Sequence, residues 1–187
     1  MSANALLSRM LRYQAWANDE MLKAMSGLDA VRHAQARHLA LRLMNHCLVV
    51  NRIFAAHLSG ERHGFVSDNT PDTPEPEALR AAFATLDRWY LDYVEAATPD
   101  MLSESIPFVF TDGDNGYMTR EEMLTHVVTH GGYHRGEAGR LMIQAAALSA
   151  QDIELPWDTY AVHLHRTEPE RRLQRKIGGA NSANAGR

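Results

Sequence analysis

Three histidines recur at steps of four residues in the segment HVVTHGGYHRGEAGR, which covers residues 126–140. Residues four apart in an α-helix lie on nearly the same face, so His130 and His134 can point at one atom. Two helical histidines at this spacing are known to hold a transition metal. One helix cannot surround an ion, so a third ligand must come from another part of the chain.

The candidate for that third ligand is His46, which lies on the predicted inward face of the second helix between Leu43 and Val50. A histidine in an apolar face needs a polar partner. On its own it is more often a hydrogen-bonded structural residue than a ligand. Histidine pairs also arise by chance on solvated faces. The spacing therefore leaves two interpretations open, a metal site formed by His46, His130 and His134 or histidines that bind no ion.

Other chemistries are disfavoured by motifs that the sequence lacks. The segment HGGYH has no counterpart of the glutamate in the HExxH zinc proteases, and no Glu-x-x-His pair of the ferritin-like di-iron type occurs. No GxSxG, P-loop or GxGxxG motif is present. Cys47 follows His46 directly and points about 100° away from it. We expect Cys47 to be a small core residue.

Glycines are unusually frequent in the same segment, although its surroundings are typical of a helix. On a helical projection Gly132, Gly136 and Gly139 lie roughly opposite the histidines, and Thr125 and Thr129 extend this line of small residues. An interior glycine costs about 1 kcal/mol relative to alanine. Close approach of another backbone, from a neighbouring helix or a second subunit, would offset that cost, and we expect such packing. The alternative is that these positions merely tolerate glycine.

Hydrophobic periodicity predicts four long amphipathic helices. They cover residues 4–26, 36–58, 75–97 and 119–148. Thr73 and Pro74 are expected to start the third helix, and Thr119 with Glu122 forms a capping box at the start of the last one. The segment SIPFVFTDGDNGYM between these helices predicts a short hairpin or an extended loop. The predicted fold is all-α, a four-helix bundle with a crossover connection between the second and third helices.

Length and composition predict one domain with a sizeable core. The bundle is expected to fill residues 1–165, including an irregular stretch at 149–165, and residues 166–187 form a charged tail that is expected to be flexible. The net charge of −4 argues against a nucleic-acid partner. No signal peptide or membrane-spanning run is evident. The single cysteine suits a reducing compartment, and we expect a cytoplasmic protein.

Several segments of the chain resemble the DinB-like family, and together they span roughly residues 6–160. The matching segments are RYQAWAN at 12–18, LMNHCLVVNRIF at 43–54, LTHVVTHGGYHRGEAGRLM at 124–142 and DIELPWD at 152–158. The combination of the last long helix, with its His-x-x-x-His-Arg-Gly core, and an earlier helix that contains Asn-His is fairly specific. Either segment alone would be a weak signal.

The resemblance implies a four-helix bundle that is usually a homodimer and that holds a divalent metal through three histidines. Carried over to this sequence, the three are His46, His130 and His134. His126 also has a family counterpart, which is not usually counted as a ligand. Glu137 stands where the family often has glutamine, on the same face as His134. It is our candidate catalytic residue, with a solvated or structural salt-bridge role as the alternative.

The family includes thiol-dependent transferases and isomerases that use low-molecular-weight thiols. The leading hypothesis is therefore a metal-dependent enzyme of thiol-dependent transferase or hydrolase type that acts on a small molecule. Three imidazoles suit zinc, nickel, iron or copper, so the ligands do not identify the ion. Tyr133 is a further candidate auxiliary, whereas Arg135 points away from the ligand face and is expected to be structural. Two alternatives stay open: a non-catalytic dimer whose metal is structural or sensed, and a metal-free helical dimer.

Overall fold

The computed structural model describes residues 2–111, 113–148 and 153–171, and this part of the chain is mostly helical. The long helices are α1 (Ala3–Ser26), α2 (Ala34–Ser59), α3 (Pro76–Ala96) and α5 (Arg120–Leu148). The short ones are α4 (Pro99–Ser103), α6 (Tyr160–Thr167) and a 3-10 turn, Pro169–Arg171. Two antiparallel strands, β1 (Ser105–Val109) and β2 (Asn115–Thr119), form a hairpin before α5.

The all-α class is confirmed, and the four long helices lie close to their predicted bounds. The segment before α5 is a hairpin, one of the two predicted forms. The capping box is present in both directions. The backbone amide of Thr119 donates to Glu122 Oε2 at 2.7 Å, and the amide of Glu122 donates to Thr119 Oγ1 at 3.2 Å. These two bonds satisfy amides that the first turn of α5 would otherwise leave without partners.

The predicted N-cap of α3, Thr73 followed by Pro74, is wrong. The helix begins at Pro76, and its N-cap is Glu75, which has extended backbone (φ −68°, ψ 158°). A residue before proline is sterically pushed out of the helical region, so Glu75 cannot continue a helix begun at Pro74. With two prolines in the segment TPEPE, the second one sets the boundary.

The C-terminal region is more regular than predicted. Within the stretch expected to be irregular, Thr159 caps α6 by accepting a hydrogen bond from the amide of Val162 at 3.4 Å. The predicted tail boundary at residue 165 falls inside α6. Most of that predicted tail, residues 172–187, lies outside the described residues.

The long helices pack so that α2 contacts α5, and α1 contacts α3 and α5. The apolar side chains of α1 and α3 that recur at helical spacing are largely buried. On α2, the face predicted to point inward, between Leu43 and Val50, is only partly buried, whereas Leu41, Met44 and Leu48 are buried. Because α2 is apolar around much of its circumference, periodicity does not select one face. None of the described helices combines the length and apolar character needed to cross a membrane.

A buried polar network joins α1, α5 and the segment before α6. The fully buried Arg135 donates through Nε to Asp158 Oδ2 at 2.8 Å and through Nη1 to Asn18 Oδ1 at 2.9 Å. Its guanidinium lies 5.8 Å from the centre of the Tyr13 ring. The Tyr13 hydroxyl in turn donates to Asp158 Oδ1 at 2.5 Å. A buried charge needs such partners, so Arg135 has the structural role expected for it.

The buried carboxyl of Asp87 adjoins this network, and it forms no ion pair with a cation in the described part of the chain. Asn18 Nδ2 donates to Asp87 Oδ2 at 3.3 Å. Burial disfavours the ionised form and raises the pKa of Asp87 to about 7, although Asn18, Arg135 and Gln14 act in the opposite direction. Asp87 is thus a carboxyl whose protonated form is favoured by folding.

We predict that Asp87→Asn gains stability relative to the natural protein as pH rises. Between the ordinary pKa of 3.8 and about 7, Asp87 keeps its proton only in the folded state, so the stability it contributes is lost over that window. The asparagine side chain of the variant does not titrate, so the variant loses no stability in this way. Urea unfolding from pH about 4 to about 8 should show a growing difference in favour of Asp87→Asn. The exposed Asp92→Asn on the same helix is the control. A difference that does not change with pH would contradict the prediction.

Candidate metal centre

Three histidines from two helices converge on one point. His46 comes from α2, and His130 and His134 come from α5. Each offers a ring nitrogen, and these three atoms all lie within 4.8 Å of one another. The Nε2 atoms of His46 and His130 are 3.1 Å apart. Two nitrogens bound at about 2.0–2.1 Å to one tetrahedral ion lie roughly 3.4 Å apart. The spacing of this pair is close to that of two ligands of one ion, and the three nitrogens form a group that could hold a metal.

Two of the imidazoles are oriented by hydrogen bonds to their outer nitrogens. His46 Nδ1 lies 2.8 Å from the backbone carbonyl of Asp68, and His134 Nδ1 lies 2.7 Å from Glu137 Oε2. A carbonyl and a carboxylate only accept, so both Nδ1 atoms carry the proton and donate it. The lone pairs of both rings are then on Nε2, as in many metal sites with such outer partners.

The third imidazole, His130, is held by packing. Its Nδ1 is buried without a hydrogen-bond partner among the described residues. The ring stacks on that of His126, with centroids 5.1 Å apart and planes at 26°. Burial, and then the neighbouring His134, His46 and His126, lower the pKa of His130 to about 3. His130 is therefore neutral near pH 7, which is the form that a metal requires.

The segment around Asp68 is fixed onto α2 by polar contacts that the sequence analysis missed. The buried Asn45 donates through Nδ2 to Thr70 Oγ1 at 2.6 Å and also to Asn69 Oδ1. Asn69 Nδ2 donates to the carbonyl of Arg42 at 3.0 Å, and Arg42 Nη1 donates to the carbonyl of Thr70. These bonds hold the Asp68 carbonyl against His46. The signal that the sequence offered for these contacts was the polar Asn45 next to His46 in a largely apolar helix.

An open cleft of about 480 Å³ lies beside the histidines, between α2, the Asp68 segment and α5. Its wall is partly apolar and partly charged. It is lined by Leu39, Arg42, Leu43, His46, Asp68, Asn69, His134 and Leu141. A larger groove of about 690 Å³, between α1, β2 and α5, includes His126 but none of the three converging histidines. Of these two openings, the smaller cleft is the one that reaches the converging histidines.

The remaining candidates take different positions. Glu137 contacts His134, and Tyr133 is 67% exposed with its ring 4.9 Å from that of His134. Cys47 is buried, which confirms the expectation of a core residue, and burial raises its pKa to about 12. Among the described residues, no other three His, Cys, Asp or Glu side chains form a group of this kind.

Within the described part of the chain, no other backbone approaches Gly132, Gly136 and Gly139 closely, so the prediction of such packing is wrong for contacts inside one subunit. A Cβ at Gly136 would meet no atom within 4 Å, and at Gly132 only the Nη2 of Arg135, at 3.8 Å. Gly139 faces the side chains of Leu155 and Met21 rather than a backbone. Most of the line points to solvent because the buried side of α5 is the one that carries Arg135. Contact with a second subunit stays a prediction.

The glycine of α5 with the closest neighbours is Gly131. A Cβ there would lie 3.0 Å from Nη1 of Arg135 and 3.2 Å from Oε1 of Gln14. The guanidinium cannot move aside easily, because Asn18 and Asp158 hold it. Gly131 thus leaves room for the buried arginine that follows one turn later.

We predict opposite effects for alanine at two glycines of α5. Gly131→Ala should lower the free energy of unfolding by about 1–3 kcal/mol through overpacking against Arg135. Gly136→Ala should raise it by about 1 kcal/mol, since the site is open and alanine favours the helix. Urea unfolding of the two variants measures both effects. Equal stability of the two variants would show that Gly131 is not needed for the arginine.

The mostly helical fold and the three converging histidines fit the class of helical metal-binding proteins. Comparison with known proteins then gives the family. The model of the DinB family matches residues 1–161, and the chain belongs to that family. The resemblance found in the sequence is therefore confirmed. No curated protein and no solved structure matches the chain.

Proposed function

We propose that this protein binds a divalent transition metal through His46, His130 and His134 and is a metal-dependent enzyme that acts on a small molecule. The observation that supports it is the convergence of three imidazole nitrogens within 4.8 Å of one another. Two of the rings have outer hydrogen bonds that leave Nε2 free, and the third has a strongly lowered pKa. The chain thus directs three imidazole nitrogens at one point, and His130 among them is neutral near pH 7.

The adjacent cleft favours a catalytic role over a purely structural one. Structural sites are usually closed by four protein ligands, whereas catalytic sites keep a position for water or substrate. Among the described residues, no fourth His, Cys, Asp or Glu joins the group, and the cleft reaches His46 and His134. When bound, a divalent ion supplies a Lewis acid that lowers the pKa of a thiol or water and polarises a carbonyl. A thiol-dependent transferase or hydrolase fits this arrangement.

Glu137 and Asp68 act on the site through the histidines that they contact. The Glu137 carboxylate accepts the Nδ1 proton of His134, and the Asp68 carbonyl accepts that of His46. Both contacts fix the direction of the Nε2 lone pair and increase the basicity of the ring. We therefore assign Glu137 as a positioning residue, in place of the direct catalytic role expected from the sequence.

The finer features implied by the family belong to the same proposal. The four long helices form a four-helix bundle with a crossover between α2 and α3, and two copies form a homodimer. A low-molecular-weight thiol is the proposed co-substrate. A cytoplasmic location is proposed because the single cysteine suits a reducing compartment. The alternative is a non-catalytic dimer in which the metal is structural or sensed.

We predict that alanine at His46, His130 or His134 abolishes stoichiometric metal binding. Protein purified without a histidine tag should hold about one zinc or similar ion per chain, and each variant should hold little, because two imidazoles bind far more weakly than three. His126→Ala is the matched control, since His126 lies next to His130 outside the group. Elemental analysis measures the metal, and circular dichroism checks the helices. Equal metal content in all four variants would refute the site.

The positioning role of Glu137 is tested in the same assay. Glu137→Ala should keep the stoichiometry at saturating metal but weaken affinity roughly 10–100-fold, the usual effect of losing an outer partner of a ligand. Glu137→Gln keeps a hydrogen-bond acceptor and should lose less. Unchanged metal affinity in Glu137→Ala would leave the contact with His134 without a role in metal binding.

A catalytic site must also admit a ligand. We predict that small thiols bind to the metal-loaded protein and release a proton, so that binding strengthens as pH approaches the free thiol pKa of about 8.5. Calorimetry in buffers of different ionisation enthalpy counts the protons. His134→Ala should show no binding. If no thiol binds to the metal-loaded protein, the thiol-dependent reaction is wrong, and the structural alternative gains support.

A further inference from the structure

One cation stands beside the three-histidine site with part of its hydrogen-bonding capacity unused. Arg42 precedes His46 by one helical turn on α2, so the two side chains share a face. Arg42 Nη1 donates to the carbonyl of Thr70, which anchors the guanidinium at the edge of the cleft. Its other guanidinium nitrogens have no partner among the described residues, and none of them is buried. Arg42 also forms no ion pair with any described carboxylate.

The charges around the cleft favour an anion once a metal is bound. The three histidines contribute no charge when they are neutral. The ion and Arg42 bring three positive charges, and Asp68 and Glu137, which contact His46 and His134, bring two negative charges. One positive charge is left over. The side chain of Asp68 is 63% exposed, so water screens much of its charge. An anionic ligand would neutralise the excess.

Three leucines form the apolar part of the cleft wall. Leu39, Leu43 and Leu141 line it, and Leu39 is 43% exposed despite its size. Apolar walls with a few directed polar groups are typical of small-molecule sites. A guanidinium and a metal in the same cleft set two fixed points for a ligand. The leucines of the wall would contact its hydrocarbon part.

We propose that Arg42 is a specificity-determining residue that binds the carboxylate of a small organic acid. The inference rests on the proposed metal site and adds the substrate class. The ligand carries a carboxylate that Arg42 binds, a metal-binding atom, and an apolar chain between these two groups that contacts the leucines of the cleft. A guanidinium donates two parallel hydrogen bonds to a carboxylate, which an alcohol or an amine at the same position cannot match.

The test uses three probes that differ only in one end group. Mercaptohexanoic acid, mercaptohexanol and mercaptohexylamine share the thiol and the six-carbon chain. Each is titrated by calorimetry into the full-length zinc-loaded protein. The acid should bind about tenfold more tightly than the alcohol, because a hydrogen bond to a charged group adds roughly that factor. The amine should bind more weakly than the alcohol, since it places a cation beside Arg42.

Three variants assign the preference to Arg42. Arg42→Gln should bind the acid and the alcohol alike, while Arg42→Lys should keep part of the preference through its charge. Arg52→Gln removes the same charge from an exposed position on α2 away from the cleft and should keep the full tenfold preference. Zinc content and thermal unfolding are measured for each variant. Wild-type zinc content in Arg42→Gln shows that the loss is not one of folding.

The outcomes separate the inference from the function on which it rests. If the protein holds no divalent transition metal, the proposed function fails and the inference with it. If metal is held and the acid and the alcohol bind alike, the inference alone is overturned. If neither thiol binds, the thiol-dependent reaction is wrong and the inference falls with it. A preference that survives in Arg42→Gln also overturns it. Loss of preference in Arg42→Gln with retention in Arg52→Gln establishes the carboxylate subsite.

Discussion

The ion pair between Arg135 and Asp158 sets the rotation of α5, and the histidine site depends on that rotation. Arg135 is fully buried and bound to Asp158 and Asn18. Neighbouring residues of a helix differ by about 100° in direction. With Arg135 fixed in the interior, His134 must lie at the edge of the buried face, where it meets His46 from α2. Gly131 is part of the same constraint, since a larger residue there would displace the guanidinium.

Much of this arrangement could be predicted from the sequence because it depends on the spacing of residues that are close together in the chain. The histidine steps of four residues, the capping box at Thr119 and the bounds of the long helices all follow from helical geometry. What spacing cannot supply is the identity of partners distant in sequence. The bond from His46 to Asp68 uses a backbone carbonyl, which every residue possesses, so no side chain marks it. Spacing did not separate the partly buried face of α2 around Leu43 and Val50 from its fully buried face, because that helix is apolar on several sides.

The glycines show how a correct pattern can lead to a wrong cause. Glycine does destabilise a helix, and the prediction was that close packing of another backbone offsets this cost at positions 132, 136 and 139. Within the chain, the reason exists at Gly131 instead, and the atom that approaches is a charged side chain rather than a backbone. A helical projection of α5 could not show this, because the approaching group comes from the next turn of the same helix and is held there by α1 and by Asp158.

The stacking of His126 on His130 makes the two sides of the site unequal. His126 packs between His130 and Phe54, with its ring centroid 4.7 Å from that of Phe54, and it also lines the groove on the far side of the histidines. It therefore acts as a partition between that groove and the converging nitrogens. On the other side, the open cleft reaches the site by way of His46 and His134. In the proposed enzyme, a product that leaves through this cleft would use the path by which the next reactant arrives.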